Sequence, residues 1–158
     1  QFSRRYTGTT ISAPSAQCNP GAFVMGIDSL IQNRVMKRFV ANVVSRIAEG
    51  ENYLTLLCAT DVEPAPTHYL VHQVAGKVRK HVAPKDADDS CTLRSVGVRY
   101  LPGSILQRIA RDAPKWYGNN ISPYITHLLS GGEIARAITM SERWVHIGYP
   151  RDFAREQP

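Results

Sequence analysis

Cysteine is scarce in this chain: there are three in 158 residues, and none of Cys18, Cys58 and Cys91 sits in a Cys-x-x-Cys element. That spacing excludes a zinc ribbon or a thioredoxin-type redox site. Three thiols cannot all pair within one molecule, so at least one is expected to be free, and the redox compartment stays open. Long apolar runs are missing too. None approaches the roughly 20 residues that a helix needs to span a bilayer, and no secretory signal is legible. The sequence has no internal repeat, no low-complexity tract, and no RNA-recognition or zinc-finger signature. Acidic charge is in the minority, with 13 Asp and Glu against 19 Lys and Arg, a net charge of +6. This balance favours anionic partners without choosing among them. The chain opens on Gln1 rather than Met, which reads as a processed or trimmed product.

What is present is enough for one core. Apolar residues make up 43% of the chain, and a chain of this length buries roughly 68–70% of its unfolded surface on folding. Residues 1–17, rich in Ser, Thr, Ala and Pro, read as a flexible arm; 18–150 form a single globular domain; 151–158 are a polar tail. From Pro20, apolar residues recur at three- and four-residue steps (Phe23, Ile27, Leu30, Ile31, Val35, Phe39, Val43, Ile47), which predicts a helix ending at Gly50. Gly26 and Gln32-Asn33 offer a point at which it divides in two. Strands are expected at 53–60, 92–101 and 144–149, and a β-hairpin over 67–83 around Ala75-Gly76. Helices are expected at 104–112, 123–129 and 133–142. The sum is an α+β fold, an N-terminal helix packed on a small, mostly antiparallel sheet with C-terminal helices.

The chemistry-bearing candidates centre on Cys18. A thiolate is stabilised at a helix N-terminus, and Cys18 stands two residues before Pro20. His68, at the opening of the expected hairpin, is the candidate base, and His81, on its second strand, the group that orients it. His72 shares the face of His68 and is a rival base. The backbone N–H of Cys18, with Gln17 or Asn19, would supply the oxyanion donor. Cys58, in an apolar strand, reads as core, and Cys91 as a turn residue; His127 and His146 have no legible partner. A metal at His68 and His72 is rejected, since i and i+4 on a strand lie about 13 Å apart. The site calls for no cofactor.

The order cysteine, strand-borne histidine, third polar residue, together with Thr67-His-Tyr-Leu-Val-His-Gln-Val-Ala-Gly-Lys-Val-Arg-Lys-His81-Val-Ala-Pro84, resembles papain-like cysteine peptidases. It is nearest to the NlpC-type cell-wall peptidases, over residues 16–84. The resemblance implies a thiol peptidase or amidase acting on a peptide or protein substrate. Where that family writes Asp-Cys-Ser-Gly, this chain has Gln17-Cys18-Asn19-Pro20-Gly21.

A second reading is a basic module for RNA or single-stranded DNA. Arg34, Lys37, Arg38 and Arg46 lie on the first helix, and Lys77, Arg79 and Lys80 on the hairpin. Arg94, Arg99, Arg108 and Arg111 follow, with Tyr69, Tyr100, Trp116 and Tyr117 as stacking faces. A third is a structural or interaction protein without chemistry.

Overall fold

The computed structural model describes residues 20–26, 29–60, 68–112 and 121–146. Five small or apolar residues, Gly-Ala-Phe-Val-Met, open the described chain as strand β1 (Gly21–Met25). The single helix expected from Pro20 is thereby corrected. After β2 (Ser29–Leu30), helix α1 occupies only Asn33–Ala48. An unbroken apolar run fits a strand covered on both faces as well as it fits a helix. The helical period is real only from Val35, whose four-residue steps through Phe39 and Val43 form the buried stripe of α1.

Strand β3 (Leu54–Ala59) is buried along its whole length. The hairpin follows as β4 (Leu70–Val74) and β5 (Lys77–Val82). Ala75 and Gly76 both have positive φ, 48° and 75°, the two-residue turn that matches strand twist. A short 3-10 turn (Pro84–Asp86) leads to the ten-residue strand β6 (Leu93–Pro102), helix α2 (Gly103–Asp112) and helix α3 (Ser122–Ser130). The last expected helix, 133–142, is instead strand β7 (Ala135–Met140), followed by β8 (Val145–His146). The helix-forming residues of Glu133–Met140 yield to full pairing with β3, as tertiary context overrides propensity.

The large sheet has the order β1-β6-β3-β7-β5-β4, with β4 pairing also to β6. β3 and β7 are parallel; the other pairings are antiparallel. β6 shares its outer side, Leu93 and Arg94 pairing with β4 and residues 98–102 with β1. β2 and β8 form a separate two-stranded sheet.

Alternation sends β3 and β6 side chains to opposite faces. Leu54, Leu56, Cys58, Leu93 and Leu101 join a core with α2 and α3. Leu57, Ala59, Val96, Val98 and Tyr100 join another with Val35, Phe39 and Val43 of α1. Helices therefore cover both faces of a mixed sheet, a three-layer arrangement. Glu51 ties two layers, receiving Arg46 of α1 and Arg136 of β7, each at 2.7 Å.

At Gly21 the backbone runs against β6: a Cβ there would collide with the Leu101 carbonyl oxygen and the Tyr100 hydroxyl. Gly21→Ala is expected to destabilise the domain by about 1–3 kcal/mol, the usual range for overpacking. Urea unfolding measures this, and an unchanged midpoint would show that β1 is not held at this spacing.

Candidate anion-binding site

β6 places Leu93, Ser95, Arg99 and Leu101 on the face covered by α2 and α3, Ser95 opposite Cys58 and Arg99 opposite Leu56. Between the two leucines, Ser95 and Arg99 contribute no apolar side chain to that core. Arg99 is only 6% exposed. Its Nη2 donates to Ser122 Oγ at 3.5 Å, and its Nε has no hydrogen-bond partner. Among the described residues no carboxylate forms an ion pair with it. Burial lowers its pKa to about 10, so it keeps its charge at neutral pH.

Ser122 is the first residue of α3, and its N-cap, Ile121, has no capping side chain. The positive end of the helix dipole thus meets the guanidinium. His81 of β5 lies in the same region and is 1% exposed. Thr126 Oγ1 donates to the His81 carbonyl at 2.6 Å and lies 3.1 Å from Nδ1. With its one hydrogen so used, the hydroxyl accepts from Nδ1–H, leaving Nε2 an acceptor without a partner. Tyr69 stacks on the ring at 4.8 Å. Burial, with the nearby Arg99 charge, drives the His81 pKa down to about 3, so the ring is neutral. The cluster therefore joins a buried cation and a positive helix end with no balancing carboxylate among the described residues, an environment suited to an anion.

On the opposite face of β6, Arg94 stacks over Trp144 at 4.8 Å, and His68 meets the same indole edge-on at 5.1 Å. Trp144 also lines a shallow groove of about 260 Å³ with Leu30, Ile31, Gln32, Arg143 and Val145.

The two histidines singled out in the sequence thus have different surroundings. His81 bonds Thr126, and His68 packs on Trp144. Cys18, Gln17 and Asn19 lie outside the described residues, as do Trp116 and Tyr117 and the expected arm and tail. Cys58 is fully buried and its thiol is pushed up to about 12 by desolvation, so it is an inert core residue. Cys91 is buried beside Asp88. Of the cations assigned to nucleic acid, Arg34, Lys37 and Arg38 are exposed on α1, and Lys77, Arg79 and Lys80 on β5. Arg38 is paired with Glu142 at 2.9 Å and Lys80 with Asp88. Tyr100, named as a stacking face, is buried and donates to Asn52 at 2.9 Å. Sequence reasoning counted Arg99 as one more surface cation. Period-two alternation from Leu93 to Leu101 was the signal that places it inside.

This three-layer fold is nucleotidyltransferase-like. It is similar to the inositol-1-phosphate CTP transferase from T. maritima, with a TM-score of 0.71 and 14% identity over 93% of this chain and 57% of that one. It is also similar to a Bacillus anthracis protein described as a glucose-1-phosphate thymidylyltransferase, with a TM-score of 0.72 and 12% identity over 98% and 61%. The UDP-glucose pyrophosphorylase from Acinetobacter baumannii gives 0.66 and 15% over 94% and 53%. The chain thus spans less than two thirds of the length of these proteins, and the likeness is one of fold. The sequence matches no protein-family model and no curated protein.

These neighbours correct the resemblance to papain-like and NlpC-type peptidases, and with it the thiol peptidase or amidase and its peptide substrate. The cysteine-to-histidine spacing matched, and the hairpin formed, but a hairpin after an apolar strand is common to many sheets. The RNA or single-stranded DNA module is not supported by these neighbours either. Among the described residues no helix is long and apolar enough to cross a membrane.

Proposed function

We propose that this domain binds a phosphorylated sugar or polyol as part of a nucleotidyltransferase, with Arg99 holding the phosphoryl group. The observation that carries the reading is the fold likeness, which extends over nearly the whole chain to proteins of which two are named as transferases acting with inositol-1-phosphate or glucose-1-phosphate. The charge at the site agrees. One guanidinium and one helix end match a single phosphate monoester, whereas a triphosphate calls for more cations. In this reading Arg99 supplies charge-assisted hydrogen bonds, the α3 terminus adds its dipole, and Ser122 and Thr126 fix the walls.

Calorimetric titration of the purified chain with glucose-1-phosphate, inositol-1-phosphate, inorganic phosphate and UTP tests this. A sugar or polyol monophosphate is expected to bind, and Arg99→Gln to weaken it about 10- to 100-fold, the worth of a lost charge-assisted bond. Equal affinity in both proteins, preference for UTP, or no binding at all would overturn the reading.

A further inference from the structure

β1 carries only Gly, Ala, Phe, Val and Met, yet among the described strands it has a single partner, β6. Edge strands in soluble proteins are normally guarded by charge, proline or a bulge; this one has none of these. Apolar side chains on both faces are instead the mark of an interior strand. Ala22 and Val24 pack against the α2–α3 core. Phe23 touches Phe39 and Tyr100 on the α1 side, and still remains 41% exposed, while Met25 is 51% exposed.

The free edge can be assigned group by group. Gly103 N–H donates to the Pro20 carbonyl at 2.8 Å and Gly26 N–H to the Gly97 carbonyl at 3.2 Å. With Ala22 opposite Leu101 and Val24 opposite Arg99, antiparallel alternation turns the even-numbered residues toward β6. The N–H and C=O groups of Gly21, Phe23 and Met25 therefore point away from the sheet.

We infer that this edge is a strand-pairing surface, and that its occupant is an apolar β-strand from polypeptide outside these 158 residues, belonging to the part of the fold that the solved neighbours possess in addition. Three observations favour that occupant. The neighbours align over nearly all of this chain but devote 39–47% of their own length to structure it does not match (100 − 61 and 100 − 53). The edge offers main-chain groups in strand register. Both faces of β1 are apolar, so an added strand extends both helix-covered cores rather than meeting water. This inference rests on the fold and not on the Arg99 site, so either can fail without the other.

The test places the photo-crosslinker p-benzoylphenylalanine at position 23 of the full chain in its source cells and identifies the cross-linked peptide by mass spectrometry. A strand-patterned peptide from outside the 158 residues is the expected product. Cross-links confined to β1 of a second copy or to residues 1–19, or no cross-link, would overturn the inference. Met25→Pro provides the second arm, because it deletes an outward N–H and no bond to β6; proline is tolerated at such edge positions. It should unfold within a few degrees of the parent while cross-link yield falls at least tenfold. Met25→Lys, which places a charge on the edge, serves if the proline variant does not fold. Undiminished yield in a folded variant also counts against the inference.

Discussion

Arg99→Met is expected to raise the stability of the domain in phosphate-free buffer by about 1–3 kcal/mol, or about 3–9 °C in melting temperature for a chain of this size. The sign follows from the surroundings of the guanidinium: it is 6% exposed, its Nε is unpartnered, and its one hydrogen bond is long, at 3.5 Å. A buried charge that no carboxylate among the described residues pairs with costs several kcal/mol of desolvation, and an unbranched apolar side chain of similar length removes that cost while filling most of the space. The same substitution should abolish stabilisation by a phosphorylated ligand. The parent gains about 2.7 kcal/mol at a ligand concentration one hundred times Kd; the variant should gain nothing. Thermal melts with and without ligand read both effects. A variant less stable than the parent without ligand would mean that Arg99 is structural.

The second large effect is on acid stability. His81 is held neutral, with a pKa near 3 in the folded domain against an ordinary value of about 6.5. Its folded pKa is depressed, so between these values the unfolded chain binds the extra proton. The stability His81 contributes is complete above about pH 6.5 and is lost as pH falls toward 3, by up to about 1.4 kcal/mol per pH unit. By pH 5 the loss is about 2 kcal/mol. His81→Phe keeps the ring against Tyr69 and has no proton to take up, so its stability should stay flatter over that interval. Urea midpoints of the two proteins at pH 7, 6 and 5 measure the difference. Carboxylates such as Glu142, held down to about 2 by Arg38, titrate below this window and cancel in the comparison. Parallel curves for the two proteins would contradict the neutral, buried imidazole.

The sequence disclosed its local chemistry better than its long-range pairing. Ala75-Gly76 marked the hairpin because the turn needs positive φ, and the apolar run around Leu56 marked a buried strand. Ser104–Asp112 and Pro123–Leu129 had the periods and punctuation of short helices. β1 and β7 were read as helix for one reason: each is a strand by virtue of partners distant in sequence. β1 is paired with residues 98–102, and β7 lies parallel to β3. The reading as a cysteine peptidase failed similarly. Cysteine and histidine spacing is a one-dimensional signal, and the two histidines it linked pack on Thr126 and Trp144. Arg99 was legible in principle, since the leucines two and six residues from it define an inward face. A basic residue on a basic chain concealed it.

The parallel seam between β3 and β7 has a consequence for how the domain assembles. Thr60 and Met140 meet at its end across 80 residues of chain, so the innermost strand acquires its second neighbour only after the hairpin, β6, α2 and α3 have been made. Such closure is intrinsically slow. Until it occurs, Leu54–Ala59, the most completely buried strand, has an open apolar side. A nascent or prematurely ended chain lacking Ala135–Met140 would therefore expose its own centre, and β7 does as much to cover the apolar side of β3 as to complete the sheet.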